Sequence, residues 1–430
     1  MSQTTIAANS PQAAKLIGVG LFTQTQQQNT KLRMMAGPKP TMASIGDKIE
    51  KQQSSPDMPL IEIYDLANTA GQSATVDCFN ILSAQPIMGS KNAEGLGTPL
   101  SFSNMELGLN QWTFPVSGGD NLSQQRTSIQ LRELARKSAP GLVSRYWEQR
   151  HFIHAAGARG SQMSNDWTIP LESDPNYAAV MINPVKAPTF NRHYVVSGND
   201  LVQGGAQLSA ISSADSLKLI HLDGLRNIID TLPFTLQSVK YESDYAATDS
   251  AMWVYFAPPG QYSTLLQEGA LRAFQANAKE RSTYFKDNRH PLFAGECGMW
   301  NGILVIKQTR AVIRFLRGDS TNIVTSANAA TATESAQTVN AALTAGYEVQ
   351  RGILMGAQAL ACVYGRDSRS GTHYSWSEVD LNHGRDKEFA VYGIEGSAKI
   401  RFDIPNEFGV RIPTDNGIIV VDAATKTVNV

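Results

Sequence analysis

The distribution of apolar positions divides the chain into a tail without periodicity and a longer body with it. Residues 1–58 are rich in Gln, Thr, Ser and Pro, and Pro38, Pro40 and Pro56 interrupt any regular element. Such a segment buries too little of itself to offset its ordering entropy, so we predict an extended arm that a neighbouring molecule orders. Residues 59–120 carry short alternating runs separated by glycines, which predict a long hairpin with a flexible tip.

The strongest helical pattern lies in residues 121–160, where apolar residues recur with the spacing of an amphipathic helix. Ser123 is the predicted N-cap, because its hydroxyl can accept a hydrogen bond from a free N–H group of the first turn. Pro140 and Gly141 are expected to kink or split the helix, since proline lacks a backbone donor and its ring crowds the preceding turn. One long helix, or two in line, is therefore predicted.

Beyond the long helix, strand and helix patterns alternate. The pattern predicts helices at residues 213–229, 261–277 and 349–363, a buried strand at 252–257, further strands at 303–306 and 311–315, and an exposed small-residue loop at 320–344. From Tyr374 onward we expect mainly β-structure. This mixture predicts an α+β fold that contains a mixed layer of strands and helices.

Composition narrows the class of protein. Lys plus Arg number 37 and Asp plus Glu 38, so the net charge of -1 supplies no field that would attract nucleic acid or an anionic membrane. A sequence-reading DNA-binding protein is therefore not expected. The 3 cysteines lie far apart, which is typical of a reducing compartment. The chain has neither an apolar run long enough to span a membrane nor a secretory signal pattern, so synthesis in the cytoplasm is expected.

Few residues suggest chemistry. Glu148, His151 and His154 are spaced three apart on the predicted helix and so share a face, which fits either a metal site or a solvated or subunit-contacting surface. The second interpretation is favoured, because zinc-binding helices more often carry histidines four apart. Other candidate groups are His290 with Glu296 and Cys297, His221 with Asp223, and Asp380 with His383. None has an oxyanion loop or a phosphate-binding glycine motif beside it, so no catalytic residue, cofactor or metal is predicted.

A row of basic residues lies along the predicted long helix. Its members are Arg126, Arg132, Arg136, Lys137, Arg145 and Arg150. They could contact the phosphates of packaged DNA without reading its sequence. Glu133 stands four residues before Lys137, a spacing that favours an ordinary solvated helix face instead.

Several short blocks of the chain resemble the major capsid proteins of N4-like podophages, which have the HK97-type coat fold. The blocks are Pro86–Gly89, Leu100–Phe102, Gly118–Arg126, Ala155–Gly160, His290–Gly295, Gly298–Gly302, Arg351–Leu360 and Gly417–Val421. Each block is short, but their order and spacing are specific. The resemblance begins near residue 60, and neither the first 58 residues nor the 320–344 tract has a clear counterpart in it.

The resemblance implies an HK97-like architecture. Its expected parts are an N-terminal arm at 1–58, an E-loop hairpin at 59–120, a P-domain at 121–205 with a spine helix, an A-domain at 206–370, and C-terminal P-domain strands at 371–430. The residues expected to act in assembly are Gly89, Lys91, Trp112, Arg126, Glu133 and Arg136. The cross-linking chemistry of some coat proteins is not implied, since no motif around Lys91 names a partner.

The function that the resemblance implies is self-assembly into the icosahedral head of a tailed double-stranded DNA phage. Implied partners are further copies in hexamers and pentamers, a portal protein, possible scaffolding or decoration proteins, and packaged DNA in nonspecific contact. An encapsulin-like nanocompartment shell, a decoration protein and an enzyme remain as alternatives. Particle contents, subunit shape and a clustered catalytic cleft, respectively, distinguish them from a capsid protein made in the host cytoplasm and found in the virion.

Overall fold

A computed structural model describes most of the chain. The described residues are 32–37, 53–64, 71–79, 86–88, 94, 102–126, 130–162, 164, 166–241, 251–268, 271–283, 297–326, 332–367, 371–405 and 410–427. The α-helices in this part are α1 (Asn121–Arg126), α2 (Leu131–Ala156), α3 (Tyr177–Met181), α4 (Leu219–Thr231), α5 (Pro259–Gln267) and α6 (Leu271–Thr283). Short 3₁₀ helices lie at Arg33–Met35, Phe190–Arg192, Gly205–Ser209 and Asn382–Gly384.

Strands dominate the described residues. In chain order they are β1 (Leu60–Ile63), β2 (Ser73–Phe79), β3 (Phe102–Gly108), β4 (Asn110–Asp120), β5 (His193–Ser197), β6 (Asp200–Gln203), β7 (Trp253–Ala257), β8 (Cys297–Trp300), β9 (Ile303–Lys307), β10 (Arg314–Phe315), β11 (Ser320–Val324), β12 (Glu334–Thr338), β13 (Tyr347–Met355), β14 (Leu360–Tyr364), β15 (Tyr374–Leu381), β16 (Asp386–Lys399), β17 (Arg401–Pro405), β18 (Arg411–Asp415) and β19 (Ile418–Lys426). Many strands with few helices confirm the predicted α+β class.

The larger sheet is buried on both faces. It has 8 strands in the order β6-β5-β19-β13-β7-β9-β8, with β10 beside β13. Helices α4, α5 and α6 pack on one face, and α2 packs on the other through contacts such as Phe152 against Phe256. The predicted buried strand at 252–257 is confirmed as β7.

The helix predicted at residues 349–363 is wrong. This segment forms the end of β13, a turn and β14. The turn contains Gln358 with a φ of 53°, a conformation that ends a strand. A strand buried on both faces shows an unbroken apolar run, which periodicity cannot distinguish from a buried helix.

The smaller sheet is built on the long strand β16. Its C-terminal half pairs with β14, which in turn pairs with β1, and its N-terminal half pairs with β15 and β4. Helix α2 covers one face through an aromatic cluster of Trp112, Phe114, Tyr146 and Tyr374. Ring centroids in this cluster are 5.3 Å apart for Phe114 and Tyr146, a distance typical of favourable edge contacts.

The predicted long helix is confirmed, except for its N-cap and for the effect of Pro140. Ser123 is not the N-cap: the carboxylate of Asp120 accepts a hydrogen bond from the Ser123 N–H group at 2.8 Å and caps α1. Pro140 does not split the helix, which continues from Leu131 to Ala156. Packing holds the helix together on both sides of the proline, because Ala139 and Val143 are both buried. The helix ends at Gly157, whose φ is 68°.

Three further element predictions need correction. The segment 320–344 is not an exposed loop, since β11 and β12 pair in it and Ile323 is fully buried. The helix predicted at 261–277 consists of α5 and α6, separated by Glu268 in extended conformation. The helix predicted to begin at Ser213 begins at Leu219, because the residues before it form a turn around the Asp215 carboxylate.

The predicted hairpin is shorter in the structure. Strands β2 and β3 pair with each other, whereas β1 joins β14 and β4 joins β16. The apolar side of the hairpin base, including Val76 and Leu107, packs on β14 and on Phe402 of β17. The base therefore lies on its own subunit, and most of the predicted tip, including Gly89 and Lys91, lies outside the described residues. The domain boundaries stay predictions.

Candidate functional site

The candidate metal set of the long helix lies inside the subunit. Glu148, His151 and His154 are all buried, so the predicted solvated or subunit-contacting surface is wrong for them. The His151 Nδ1 atom lies 2.6 Å from the Trp147 carbonyl oxygen. Burial lowers the pKa of His154 to about 3 and raises the pKa of Glu148 to about 7. Among the described residues, no cluster of His, Cys, Asp and Glu has the geometry of a metal site.

Arg150 forms a buried ion pair instead of a nucleic-acid contact. Its Nη2 atom lies 2.7 Å from the Glu395 carboxylate, and both side chains are fully buried. Tyr374 donates a second hydrogen bond to Glu395 at 2.8 Å, and Arg150 donates to the Tyr146 hydroxyl. These contacts connect α2 to β16. Neither charge can lose its partner without a large cost in free energy, because an unpaired charge at this buried position is not solvated.

The rest of the basic row is divided between ion pairs and open surface. Arg145 pairs with Asp166 at 3.2 Å and Arg132 with Glu378 at 3.0 Å. Arg126, Arg136 and Lys137 are exposed. Only part of the predicted basic row is therefore exposed positive charge without an acidic partner in these ion pairs. This favours an ordinary solvated helix face over a DNA-binding surface for most of the row.

A second buried ionic group links α2 to the larger sheet. Arg351 on β13 donates two hydrogen bonds of 2.8 Å to the carboxylate of Asp422 on β19. The imidazole of His193 lies 2.7 Å from the same carboxylate, and Arg351 also donates to the Ala156 carbonyl oxygen at the end of α2. Arg351 and His193 hold the pKa of Asp422 well below its usual range despite burial. Sequence analysis missed this group.

A third ionic group joins β16, β17 and β18 around the carboxylate of Asp415. Lys399 lies 2.8 Å and Arg401 2.7 Å from this carboxylate, and all three side chains are nearly or fully buried. Burial lowers the pKa of Lys399 to about 8. Together the three ionic groups join the two sheets and α2 through buried contacts, and we call this part of the subunit the platform.

The N-terminal segment 32–37 is part of that platform. Leu32 and Met35 are fully buried, and the Arg33 guanidinium lies over the Trp147 ring at 4.7 Å from its centroid. Tyr241 donates a hydrogen bond to the Met34 carbonyl oxygen. The expectation that a neighbouring molecule orders the whole of 1–58 is thus wrong for these residues, because their own subunit orders them.

The six residues expected to act in assembly fall into three groups. Gly89 and Lys91 lie outside the described residues. Trp112 is 9% exposed and packs in the aromatic cluster under α2. Arg126, Glu133 and Arg136 are exposed on α1 and α2. The assembly role of all six stays a prediction.

The remaining candidate pairs form local structure. His221 accepts a hydrogen bond from the Lys218 N–H group and caps α4. The Asp223 carboxylate accepts hydrogen bonds from Trp300 and Asn301. The other candidates are Cys297, which is partly buried in β8, Asp380 on β15, His383 in the turn after it, and His290 and Glu296, which lie outside the described residues. No helix in the described part of the chain is long and apolar enough to cross a membrane.

Large exposed apolar side chains mark the surfaces that partners can cover. They are Ile87, Met88, Phe102, Leu122, Leu134, Ile220, Leu316, Val379, Leu381 and Val410. Most stand singly, which is ordinary for a protein surface. Val379 and Leu381 are two apart on β15 and therefore point to the same side of the smaller sheet.

A family model gives the family of the chain, and solved structures share its fold. The family model described as "Phage capsid protein" matches residues 5–427. The structure is similar to the capsid of Ralstonia phage GP4, with a TM-score of 0.67, 20% sequence identity, and coverage of 91% of this chain and 96% of that chain. It is also similar to the Cyanophage Pam1 capsid, with a TM-score of 0.57, 13% identity, and coverage of 90% and 97%.

A third similar structure is the acid-stable capsid of Helicobacter pylori bacteriophage KHP30, with a TM-score of 0.51, 10% identity, and coverage of 90% and 95%. No curated protein sequence matches the chain. The structural matches span both sheets, so they confirm the predicted HK97-type coat fold.

Proposed function

Because the chain belongs to the phage capsid protein family, we propose that many copies of it, arranged as hexamers and pentamers, form the icosahedral head of a tailed double-stranded DNA phage. Family and fold are those of structural coat proteins, so the chain is a capsid protein of the virion and not an enzyme. The observation that carries the proposal is the match over residues 5–427, which includes the hairpin, the long helix and both sheets.

Two features of the subunit support this role. The buried ionic groups around Asp422, Asp415 and Glu395 make the subunit rigid, and a rigid subunit loses little further entropy when it assembles. The net charge of -1 lets hundreds of identical copies approach without strong mutual repulsion. Several interfaces of about 1,000–2,000 Å² each then give a stable closed shell.

Further partners follow from the same role. We infer contacts with a portal protein and with scaffolding or decoration proteins, and synthesis in the cytoplasm of the host bacterium. The exposed cations Arg126, Arg136 and Lys137 are the described residues best suited to touch packaged DNA. Such contacts with phosphates would be nonspecific and sensitive to salt.

A nanocompartment shell is the alternative function, and it would enclose protein in place of DNA. The family match favours a phage capsid over it. Cryo-electron microscopy of particles from infected cells distinguishes the two: ordered density spaced like packed duplexes is expected inside, and discrete protein cargo would contradict the proposal.

The arm is tested by truncation at a point that spares the core. Deleting residues 1–31 leaves the buried segment 32–37 in place, so the subunit should fold as before. We expect the full chain to form closed shells in negative-stain images and the truncated chain to accumulate as free capsomers. Urea denaturation of both chains controls for folding, and unaltered shells without residues 1–31 would refute a role of this part of the arm in closure.

A further inference from the structure

The corner that follows α3 contains a strained turn. Ile182 has a φ of 68° and a ψ of -60°, and the Asn183 N–H group donates a hydrogen bond of 2.8 Å to the Met181 carbonyl oxygen. These values describe a γ-turn with positive φ, a rare conformation in which the Cβ atom crowds the backbone. A β-branched residue is an outlier at such a φ, and the strain persists only where the surrounding structure holds it.

The residues on both sides of the turn explain why it does not relax. Met181 is buried, and α3 is fixed to the long helix because the Tyr146 hydroxyl donates a hydrogen bond of 3.0 Å to the Val180 carbonyl oxygen. On the other side, Pro184 follows Asn183, and a residue before proline is restricted to extended conformations. The turn is therefore held between an anchored helix and a restricted residue.

The turn places the side chain of Asn183 between the hairpin and the smaller sheet. Its Oδ1 atom accepts a hydrogen bond of 3.0 Å from the Gly108 N–H group at the end of β3, and its Nδ2 atom donates one of 3.0 Å to the Gly108 carbonyl oxygen. The same Nδ2 atom donates to the Ser397 carbonyl oxygen of β16 at 3.1 Å. The side-chain amide thus joins the two backbones in the way that a further peptide group would.

The hairpin base lies directly against β16 at this point and beside a cavity. A Cβ atom at Gly396 of β16 would clash with the Gly108 carbonyl oxygen, so the two backbones approach as closely as glycine allows. Next to this contact, the described residues leave a cavity of about 590 Å³, whose lining includes Glu106 of β3, Asn183 and the buried side chain of Lys399. The hairpin base therefore has space beside Asn183 into which it can move.

We propose that Ile182 and Asn183 form a latch. In its closed state the Asn183 amide holds the hairpin base against β16, and in its open state these hydrogen bonds break, Ile182 relaxes to negative φ and the base tilts toward the cavity. Because the strain at Ile182 raises the free energy of the closed state alone, the open state is populated more often than the hydrogen bonds would otherwise allow. The latch is a property of the unassembled subunit, so it stands or fails independently of the proposed capsid function.

Two substitutions at residue 182 measure the strain. Ile182→Ala keeps the Cβ atom that is crowded at positive φ, whereas Ile182→Gly removes it. Glycine normally destabilises a folded chain relative to alanine, because it gives the unfolded state more conformational freedom. Here we expect the reverse: urea denaturation should give I182G an unfolding constant about three- to thirty-fold smaller than that of I182A. An I182G chain that unfolds as readily as I182A would show that the turn is not strained and would overturn the latch.

Hydrogen exchange measures the opening of the latch. The Gly108 amide hydrogen is protected by its hydrogen bond to Asn183 and exchanges with water when that bond opens. Relative to I182A, I182G should slow this exchange about three- to thirty-fold, and Asn183→Ala should bring it near the rate of an unprotected amide. Asn340→Ala is the matched control and should leave the exchange unaltered, because the Asn340 amide also accepts from a backbone N–H group and donates to a carbonyl oxygen, but those of other segments.

Distance measurement tests whether the hairpin base tilts. Spin labels are attached at Thr75→Cys on β2 and at Asn227→Cys on α4, in a chain whose Cys78 and Cys297 are replaced by serine and whose remaining cysteine is buried. Pulsed electron paramagnetic resonance should give one narrow distance distribution when Asn183 is present and a broader or second distribution in N183A.

The latch is wrong if the distance distributions with and without Asn183 are identical, or if the Gly108 amide in N183A is as well protected as in the wild type. Should N183A fail to fold, the variants at residue 182 still decide, because both keep the Asn183 side chain. Slower exchange of the Gly108 amide in I182G than in I182A then supports the latch, and equal exchange overturns it.

Discussion

The two sheets use the same chemistry in opposite settings. In the larger sheet, Arg351 and Asp422 are both fully buried and their atoms lie 2.8 Å apart. At the end of the smaller sheet, Arg132 and Glu378 lie 3.0 Å apart, but 53% of the arginine side chain is exposed. Helices cover both faces of the first sheet, whereas α2 covers one face of the second and part of the other stays open.

This difference distinguishes residues that stabilise a single subunit from surface residues that are available for contacts between subunits. In a buried ion pair each charge depends on the other, because water does not solvate it, and the pair therefore fixes the local geometry. In an exposed ion pair water can replace either partner, so its loss costs little stability. The larger sheet therefore acts as the internal framework, and the open end of the smaller sheet acts as surface. Three substitutions test this comparison.

The largest effect is expected at the buried pair. Arg351→Leu leaves the fully buried Asp422 carboxylate with His193 as its remaining side-chain partner among the described residues. Loss of one partner of a buried ion pair typically costs about 3–5 kcal/mol, and we expect a decrease of this size in the free energy of unfolding. Urea denaturation of the unassembled subunit measures it.

The double variant R351L/D422L is the control for that experiment. Replacing both charges by apolar groups of similar size should recover much of the stability, because no unpaired carboxylate remains. A single variant destabilised by less than about 1 kcal/mol would show that water reaches the pair, and the contrast between the sheets would then be lost.

The contrast between strands covered on one face and strands covered on both faces also explains which strands could be predicted from the sequence. The half-covered part of β16 alternates between partly and fully buried residues from Glu388 to Ile394, and the β-structure predicted from Tyr374 onward is confirmed. The doubly covered segment 349–363 does not alternate, and its prediction as a helix failed. Burial on both faces removes the very pattern that identifies a strand.

The candidate site shows a related limit. The Arg150 side chain was grouped with exposed cations because the sequence around it continues a basic row, yet it pairs with Glu395, 245 residues away. Its partner could not be found from spacing along one helix. The less buried face of β16, in contrast, is visible as alternation in residues 388–394 once the strand pairing is known, since the pairing decides which alternate set α2 covers.

A second, smaller effect depends on pH and concerns Glu148, on the face of α2 turned to the interior. Burial raises the pKa of Glu148 to about 7 in the folded subunit, so its neutral form is favoured there. As pH rises from about 4.5 to 7, the unfolded chain ionises first and the folded state loses relative stability. Glu148→Gln removes this penalty.

We therefore expect E148Q to stabilise the subunit by about 2–3 kcal/mol at pH 8 and by almost nothing at pH 4. Denaturation curves measured at both values test the sign. Glu133→Gln, on the exposed side of the same helix, is the matched control, because water already solvates that carboxylate. A gain from E148Q that is equal at both pH values would point to packing and not to ionisation.

The smallest effect is expected at the exposed counterpart of the buried pair. Arg132→Ala removes a hydrogen-bonded ion pair of nearly the same length as that of Arg351, but Glu378 keeps access to water and to the indole N–H of Trp376. The free energy of unfolding should fall by less than about 1 kcal/mol, and the difference should shrink further in 1 M salt, where exposed charges are screened. Because the two ion pairs match in chemistry and length, a large and salt-independent loss at Arg132 would mean that the end of the smaller sheet is as tightly constrained as the interior, and the division into framework and surface would have to be abandoned.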